Sequence, residues 1–131
     1  MTHDSDPIVK GELRVSESRV GVWTVLTCEG DLDVTTSAIL RTSIREASPE
    51  AGMIIDLNQV GFIDSTALGV LIGGQKQVQR EGRALRLIVT NPTILRILTI
   101  TGLDEMFTVC ATLLDATGSA DVNDADGGSR P

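Results

Sequence analysis

Residues 54–73, IIDLNQVGFIDSTALGVLIG, decide the fold, because an apolar strand leads here through a short turn into an apolar helix. The run Met53-Ile54-Ile55 before Asp56 predicts a short strand buried on both faces, since a continuous apolar segment bounded by turn residues is typical of such strands. The residues after the turn predict a helix from Ser65 to Arg80. This strand, turn and helix place the candidate site.

Three side chains that favour helix starts, Asp64, Ser65 and Thr66, stand in a row at this turn. A serine at the N-cap accepts hydrogen bonds from backbone N–H groups that lack a partner inside the helix. It also lies at the positive end of the helix dipole. We therefore expect the Ser65 hydroxyl to lie at the surface, with Ser65 or the neighbouring Asp64 as the helix cap.

The predicted helix has an apolar side and a side rich in glycine. The residues expected to face the sheet are Leu68, Leu71, Ile72 and Val78. Those expected on the opposite side are Thr66, Gly69, Gly73 and Lys76. Each glycine inside a helix costs about 1 kcal/mol relative to alanine. The two exposed glycines therefore indicate either that a partner must come close or simply that the helix tolerates them.

The preceding part of the chain predicts two strands and a helix. Ile8 to Ser16 and Val20 to Cys28 carry β-branched residues in partial alternation, which predicts a hairpin joined at Glu17-Ser18-Arg19. A helix is expected from Thr35 or Thr36 to Ala47. Its expected apolar face consists of Ile39, Leu40, Ile44 and Ala47.

The following part continues the alternation of strands and helices. Ala84 to Val89 predicts a buried strand, and Asn91-Pro92 predicts a helix start with asparagine as cap and proline in the first turn. Gly102 is expected to end that helix. A short strand from Met106 to Cys110 and a short helix from Ala111 to Ala116 complete the prediction.

These elements predict one α/β domain with a mixed, mostly parallel sheet of four to five strands. The amino-terminal hairpin supplies the antiparallel member, and the helices are expected mainly on one face. We expect residues 1–7 to be flexible, residues 8–116 to form the domain and residues 117–131 to be a disordered tail.

Composition excludes several classes of partner. The chain has 131 residues and a net charge of −7, which opposes direct nucleic-acid binding because phosphate contacts need clustered Lys and Arg. No apolar run reaches the length of a membrane span, and residues 1–10 lack the apolar centre of a signal peptide, so a cytoplasmic protein is expected. Cys28 and Cys110 are expected to be reduced packing residues, unless the fold brings them together as a redox pair.

Enzymatic sites do not match the sequence. A nucleophilic Ser65 needs a base, yet the only histidine is His3, and the flanking residues do not form a G-x-S-x-G elbow. Residues 69–76 lack the Lys-Ser or Lys-Thr of a phosphate-binding loop, and residues 31–42 lack the glycine and glutamate of a calcium loop. We therefore expect no catalytic residues, no cofactor and no metal.

The segment from Phe62 to Leu71 (FIDSTALGVL) resembles the signature of the STAS family, in particular of the bacterial anti-sigma factor antagonists. Gly30-Asp31-Leu32-Asp33 resembles the first loop of that family, and Ile100-Thr101-Gly102-Leu103 with Phe107 resembles its segment after the third helix. The similarity covers residues 9–116, although Ala67 stands where the family often has glycine.

This resemblance implies a STAS-like fold and a non-enzymatic switch in a stress response. The unmodified chain would bind an anti-sigma factor with serine kinase activity and so free a sigma factor. Ser65 would be the phosphoacceptor, and a separate serine phosphatase would regenerate the binding form. We expect Asp31, Asp33 and Asp64 to form an acidic rim around Ser65. Thr66, Gly69 and Gly73 would complete the partner-binding surface.

Two alternatives stay open from the sequence. Asp56, expected at the end of a buried strand, resembles the phosphoacceptor of two-component receiver domains, but no lysine follows Lys76 to complete such a site. A STAS module that binds a small ligand or assists a transporter would share the fold without any chemistry at Ser65.

Overall fold

The computed structural model of the chain describes residues 12–47 and 51–118. Strands and helices alternate along most of it, as the sequence predicts. The strands are β1 (Leu13–Val20), β2 (Trp23–Leu32), β3 (Gly52–Ile63), β4 (Ala84–Ile88) and β5 (Thr108–Cys110). The helices are α1 (Ser37–Glu46), α2 (Ser65–Arg80), α3 (Pro92–Ile100), α4 (Leu103–Met106) and α5 (Leu113–Thr117). The predicted tails, residues 1–7 and 117–131, lie outside the described residues except for Thr117, which is the last residue of α5, and Gly118.

The five strands form one sheet in the order β1-β2-β3-β4-β5. Only the β1–β2 pair is antiparallel, and the other three pairs are parallel. Crossover connections between parallel strands are right-handed. Because β2, β3, β4 and β5 follow one another in one direction across the sheet, these crossovers place their helices on the same face. Helices α1, α2 and α3 accordingly share one large apolar core with that face. The predicted α/β fold with its hairpin is confirmed.

The opposite face of the sheet carries a smaller apolar cluster that α5 covers. Its buried members are Val25, Ile54, Ile88 and Ala116. The Trp23 indole donates a hydrogen bond to the Thr117 carbonyl at 3.2 Å, and the Arg86 guanidinium donates one to the Ala116 carbonyl at 2.7 Å. The same guanidinium lies 4.7 Å from the Trp23 ring centroid. These contacts hold α5 on the face away from the other helices.

The hairpin turn lies at Gly21-Val22, so the turn predicted at Glu17-Ser18-Arg19 is wrong. Val20 pairs with Trp23, which leaves a two-residue loop, and Gly21 adopts a φ of 62° that favours glycine. The polar residues that indicated a loop belong to the solvent-exposed end of β1. An edge strand exposed to water tolerates such side chains.

Strand β3 is much longer than predicted, because it continues past Asp56 to Ile63. The residues that indicated a turn after Asp56 pair with the last part of β2, through register shifts in that pairing. Irregularities of this kind accommodate glycine and polar side chains inside a ladder. Asp56 therefore lies within the strand, between Thr27 and Ile88, and not at its end.

Helices α1, α2, α3 and α5 match their predicted ranges within a few residues, although their buried faces differ in detail. Helix α4 has no counterpart in the sequence prediction, which assigns Met106 to a strand. Ile39, which the sequence predicts on the apolar face, is 44% exposed, and the buried residues of α1 are Ser37, Leu40 and Ile44. In α2, Ile72 is only partly buried, whereas Val70 is buried. A wide part of the α2 surface is buried because the helix packs against both the sheet and α1.

The two cysteines lie too far apart for a redox pair. Cys28 belongs to the large core and Cys110 packs against the smaller cluster, so they occupy opposite faces of the sheet. Strands β3 and β4 separate them by about 14 Å, three strand spacings, whereas a disulfide needs Cα atoms within about 7 Å. Neither cysteine forms a disulfide bond.

We predict that only Cys110 reacts rapidly with a thiol reagent in the folded protein. Burial, followed by the charge of Asp56, raises the pKa of the Cys28 thiol to about 12, and the thiolate is the reactive form. Ellman's reagent should titrate one thiol in buffer at pH 8 and two in denaturant. Rapid reaction of the folded Cys110→Ser variant would contradict this assignment.

Candidate partner-binding site at the start of helix α2

The candidate site lies at the edge of the sheet where β2 and β3 end. Leu32 pairs with Ile63, and the Asp64 backbone N–H donates to the Leu32 carbonyl at 3.1 Å. This hydrogen bond holds the loop after β2 beside the start of α2. Because parallel strands end at one edge, the residues that follow β2 and β3 share a single surface.

Among the candidate caps at this turn, Asp64 and not Ser65 is the N-cap of α2. Asp64 has extended backbone angles, and its carboxylate accepts a hydrogen bond from the Ala67 N–H at 3.0 Å. A carboxylate at this position satisfies an unpaired helix donor and complements the positive end of the helix dipole. The sequence could not distinguish three neighbouring side chains that can all cap a helix.

Ser65 is the first residue of α2, and its side chain is exposed, as predicted. Within residues 12–47 and 51–118 its hydroxyl makes no hydrogen bond. The adjacent Thr66 is half-buried. Since Asp64 caps the helix, the Ser65 hydroxyl is not needed for capping and is accessible to a reagent or a partner.

Asp33 organises the loop between β2 and α1. Its carboxylate accepts hydrogen bonds from the Thr35 hydroxyl at 2.7 Å, the Thr35 N–H at 2.9 Å and the Thr36 N–H at 3.0 Å. The bond from the Thr35 hydroxyl is the largest of the effects that lower the pKa of this carboxyl below its ordinary value. Asp33 is therefore ionised at neutral pH, while it also fixes the start of α1.

Asp31 lies on the same edge and pairs in register with Phe62. One of its carboxylate oxygens lies 3.7 Å from the position that a Cβ at residue 61 would occupy, so the side chain passes close to Gly61. Asp31 thus lies near the end of β2, while Asp33 and Asp64 follow β2 and β3. Contact of these three aspartates with a partner stays a prediction.

Two exposed apolar side chains lie at this edge, and the sequence did not indicate them as contact residues. Val34 is 68% exposed and follows Asp33 directly, and Phe62 is 52% exposed. Phe62 belongs to the strand predicted to end earlier, so its exposure could not be inferred from periodicity. Apolar groups surrounded by charged ones are typical of protein interfaces.

The glycines of α2 serve two different purposes. A Cβ at residue 74 would lie 3.1 Å from Ile44 of α1, so Gly74 permits the close packing of α1 on α2. A Cβ at residue 69 or 73 would meet nothing within 4 Å. Packing inside the described chain therefore does not require Gly69 and Gly73, and both are exposed.

Gln75 is a further residue that sequence patterns did not identify. It is buried in α2, and its side-chain amide donates to the Met106 carbonyl at 2.9 Å. The contact connects α2 to α4, and it falls at a position that the polar side chain alone would assign to the surface.

Metal and membrane features can be described for residues 12–47 and 51–118. There, no group of three or more His, Cys, Asp or Glu side chains could hold a metal ion. In the same ranges, no helix has both the length and the apolar character that a membrane crossing requires.

Comparison with known proteins identifies the family. The sequence model of the STAS domain matches residues 14–116. The chain belongs to the STAS domain family. It is 32% identical over 83 residues to the anti-sigma-B factor antagonist of Bacillus subtilis (strain 168), an alignment that covers 63% of this chain and 76% of the relative.

Two further comparisons agree with this STAS assignment. The anti-sigma F factor antagonist of Paenibacillus polymyxa is 27% identical over 88 residues, which cover 65% of this chain and 75% of the relative. The crystal structure of an anti-sigma factor antagonist from Mycobacterium paratuberculosis aligns with a TM-score of 0.75 and 26% identity, over 82% of this chain and 92% of the other.

The STAS assignment and the position of Asp56 together remove the receiver-domain alternative. That hypothesis placed Asp56 at the end of its strand, where a phosphoacceptor would be accessible. The residue instead lies within β3, and its carboxylate accepts a hydrogen bond from the Asn58 N–H at 3.0 Å.

We predict that Asp64→Ala destabilises the fold more than Ser65→Ala. Loss of the cap should lower the free energy of unfolding by about 1 kcal/mol, whereas loss of an exposed, unbonded hydroxyl should change it by less than about 0.5 kcal/mol. Urea denaturation followed by circular dichroism measures both values. Equal destabilisation by the two substitutions would contradict the assignment of Asp64 as the cap and indicate that Ser65 shares this role.

Proposed function

We propose that this STAS chain is an anti-sigma factor antagonist switched by phosphorylation of Ser65. In its unphosphorylated form it binds an anti-sigma factor with serine kinase activity and thereby frees a sigma factor. Phosphorylation ends the binding, and a separate serine phosphatase restores it. The observation that carries the proposal is the exposed Ser65 hydroxyl, which makes no hydrogen bond within residues 12–47 and 51–118 because Asp64 caps the helix.

The position of Ser65 suits phosphoryl transfer from a bound partner. The Ser65 oxygen would attack the γ-phosphorus of ATP held by the kinase, the bond to the β-phosphate oxygen would break, and ADP would leave. A base of the kinase would take the hydroxyl proton. An exposed first residue of a helix is reached without unfolding, and this chain itself needs no cofactor.

A phosphate on Ser65 would act on the interface and not on the fold. It adds about −1.5 to −2 charges, which the helix dipole and the unpaired N–H groups of the first turn accommodate. On the outside, the added charge stands beside Asp33 and Asp64, and the added bulk stands one turn before Gly69. The added bulk obstructs a partner that fits the unmodified surface, and the added charge repels any acidic partner group that lies next to Ser65.

The surface around Ser65 has the composition of an interface. Val34 and Phe62 offer exposed apolar area, and Asp31, Asp33 and Asp64 offer negative charge at its margin. We propose that basic groups of the anti-sigma factor meet this acidic rim. The competing prediction, a STAS module that binds a small ligand or assists a transporter, requires no modification of Ser65.

The deciding experiment incubates the purified chain with ATP and the anti-sigma factor kinase of the same organism. We predict a single phosphate on Ser65, because that hydroxyl is exposed and unbonded, whereas the Ser43 hydroxyl donates to the Ile39 carbonyl at 3.0 Å. Phosphopeptide mapping should lose the product in Ser65→Ala and retain it in the control Ser43→Ala. Phosphate on Ser43 or Thr66 would refute the assignment.

The phosphorylated chain should bind the anti-sigma factor at least tenfold more weakly, which corresponds to about 1.4 kcal/mol. Calorimetry on unmodified, phosphorylated and Ser65→Asp protein measures the affinities, and the melting temperatures should agree closely. Full-strength binding after phosphorylation would refute the switch. Weak binding with a large loss of folded stability would refute only the local mechanism.

We also predict that Asp33→Asn slows association, and more so at low salt. Asparagine retains an oxygen that can accept the bonds from Thr35 and Thr36, so the substitution removes charge while preserving the loop. Stopped-flow or surface-plasmon measurements give the association rates. Asp115→Asn on α5, across the sheet, is the matched control and should have no effect. Equal rates for all three proteins at low ionic strength would remove Asp33 from the interface.

A further inference from the structure

A groove of about 280 Å³ lies between α1 and α2. Ile44 and Val70 contribute apolar surface, Arg41 and Arg45 line the side formed by α1, and Gly69 and Gly73 line the side formed by α2. Both helices follow parallel neighbouring strands, so both begin at the edge that carries Ser65. Gly69 lies four residues after Ser65, about one helical turn, so the groove opens next to the proposed phosphorylation site.

The opening of the groove depends on how the two helices pack. Gly74 brings α1 against α2, because a side chain there would press on Ile44 at 3.1 Å. At Gly69 and Gly73, in contrast, the absent side chains leave space that nothing in the described chain fills. A visiting group can therefore reach the backbone of α2 between the two helices.

The two arginines are not explained by the stability of α1. They are four residues apart on one helix, where like charges repel. Arg45 stands in the last turn and complements the helix dipole, but Arg41 lies in the middle of the helix and does not. Among residues 12–47 and 51–118 neither forms an ion pair with an acidic side chain.

We propose that this groove binds an acidic segment of the partner protein, with two carboxylates on Arg41 and Arg45 and a small apolar side chain over Ile44 and Val70. The inference rests on the proposed function, in which that partner is the anti-sigma factor. Carboxylates one helical turn apart match arginines one turn apart, and bidentate pairing suits the guanidinium group. The net charge of the chain is −7, so this positive wall is a local exception that orients a partner.

The acidic rim and the basic groove make the site bipolar. A partner would place basic groups over Asp33 and Asp64 and acidic groups between α1 and α2. Reversed placement brings like charges together at both ends, which disfavours it. The groove therefore determines the orientation of the partner in addition to supplying contact area.

The test compares charge reversal inside and outside the groove in the full-length chain. Arg41→Glu with Arg45→Glu should weaken binding of the anti-sigma factor by about tenfold or more, and the loss should shrink at high salt. Arg80→Glu with Arg96→Glu is the matched control, because both residues are exposed on helices and give the same change in net charge. Melting temperatures, measured by circular dichroism, separate lost binding from lost folding.

A benzophenone amino acid at position 77, which lines the groove, identifies the occupant by photo-crosslinking. The crosslinked peptide of the anti-sigma factor should carry at least two acidic residues close together, and replacing these by Arg should restore binding to the double Arg→Glu variant. Equal affinity of that variant and wild type, or a crosslink to a segment without acidic residues, overturns the inference while the proposed function stands. If wild type binds no anti-sigma factor, the proposed function fails, and the inference fails with it.

Discussion

The site depends on the hydrogen-bond acceptors that the backbone N–H groups at the starts of α1 and α2 find outside their helices. Each helix follows a strand of the parallel part of the sheet within a few residues. Each also presents backbone N–H groups that lack an intrahelical acceptor. Asp64 supplies that acceptor for α2, and Asp33 fixes the turn that leads into α1. The bond from the Asp64 N–H to the Leu32 carbonyl then aligns the two junctions. The carboxylates of Asp33 and Asp64 thus position both helices and supply two of the three acidic groups of the surface.

The proposed switch at Ser65 requires that a different residue, here Asp64, caps α2. A residue that caps a helix cannot be modified without disturbing the helix, because its oxygen is already engaged. Displacing the cap by one position to Asp64 releases the neighbouring hydroxyl. Gly74 and Gly69 show a comparable division within α2, since the former serves packing against Ile44 and the latter faces open space.

Sequence patterns determined the class of fold and the range of α2, because apolar periodicity and capping residues act locally. They failed where tertiary pairing overrides local preference. The register shifts that carry β3 past Asp56 depend on β2, and the hairpin turn at Gly21 depends on the exposure of β1. Arg41 and Arg45 come to lie across a groove from Gly69 and Gly73 only because α1 packs on α2 at Gly74. No local sequence motif therefore indicates the groove.

The contacts beneath α5 have a consequence for spectroscopy. Trp23 is the single tryptophan of the chain, and it stands at the start of β2, at the edge of the sheet opposite Ser65. Its indole stacks under Arg86 and donates to Thr117, so its emission reports the docking of α5 on the sheet. Detachment of α5 would therefore change the tryptophan fluorescence strongly. Binding of a partner to the surface around Ser65 would leave that fluorescence almost unchanged.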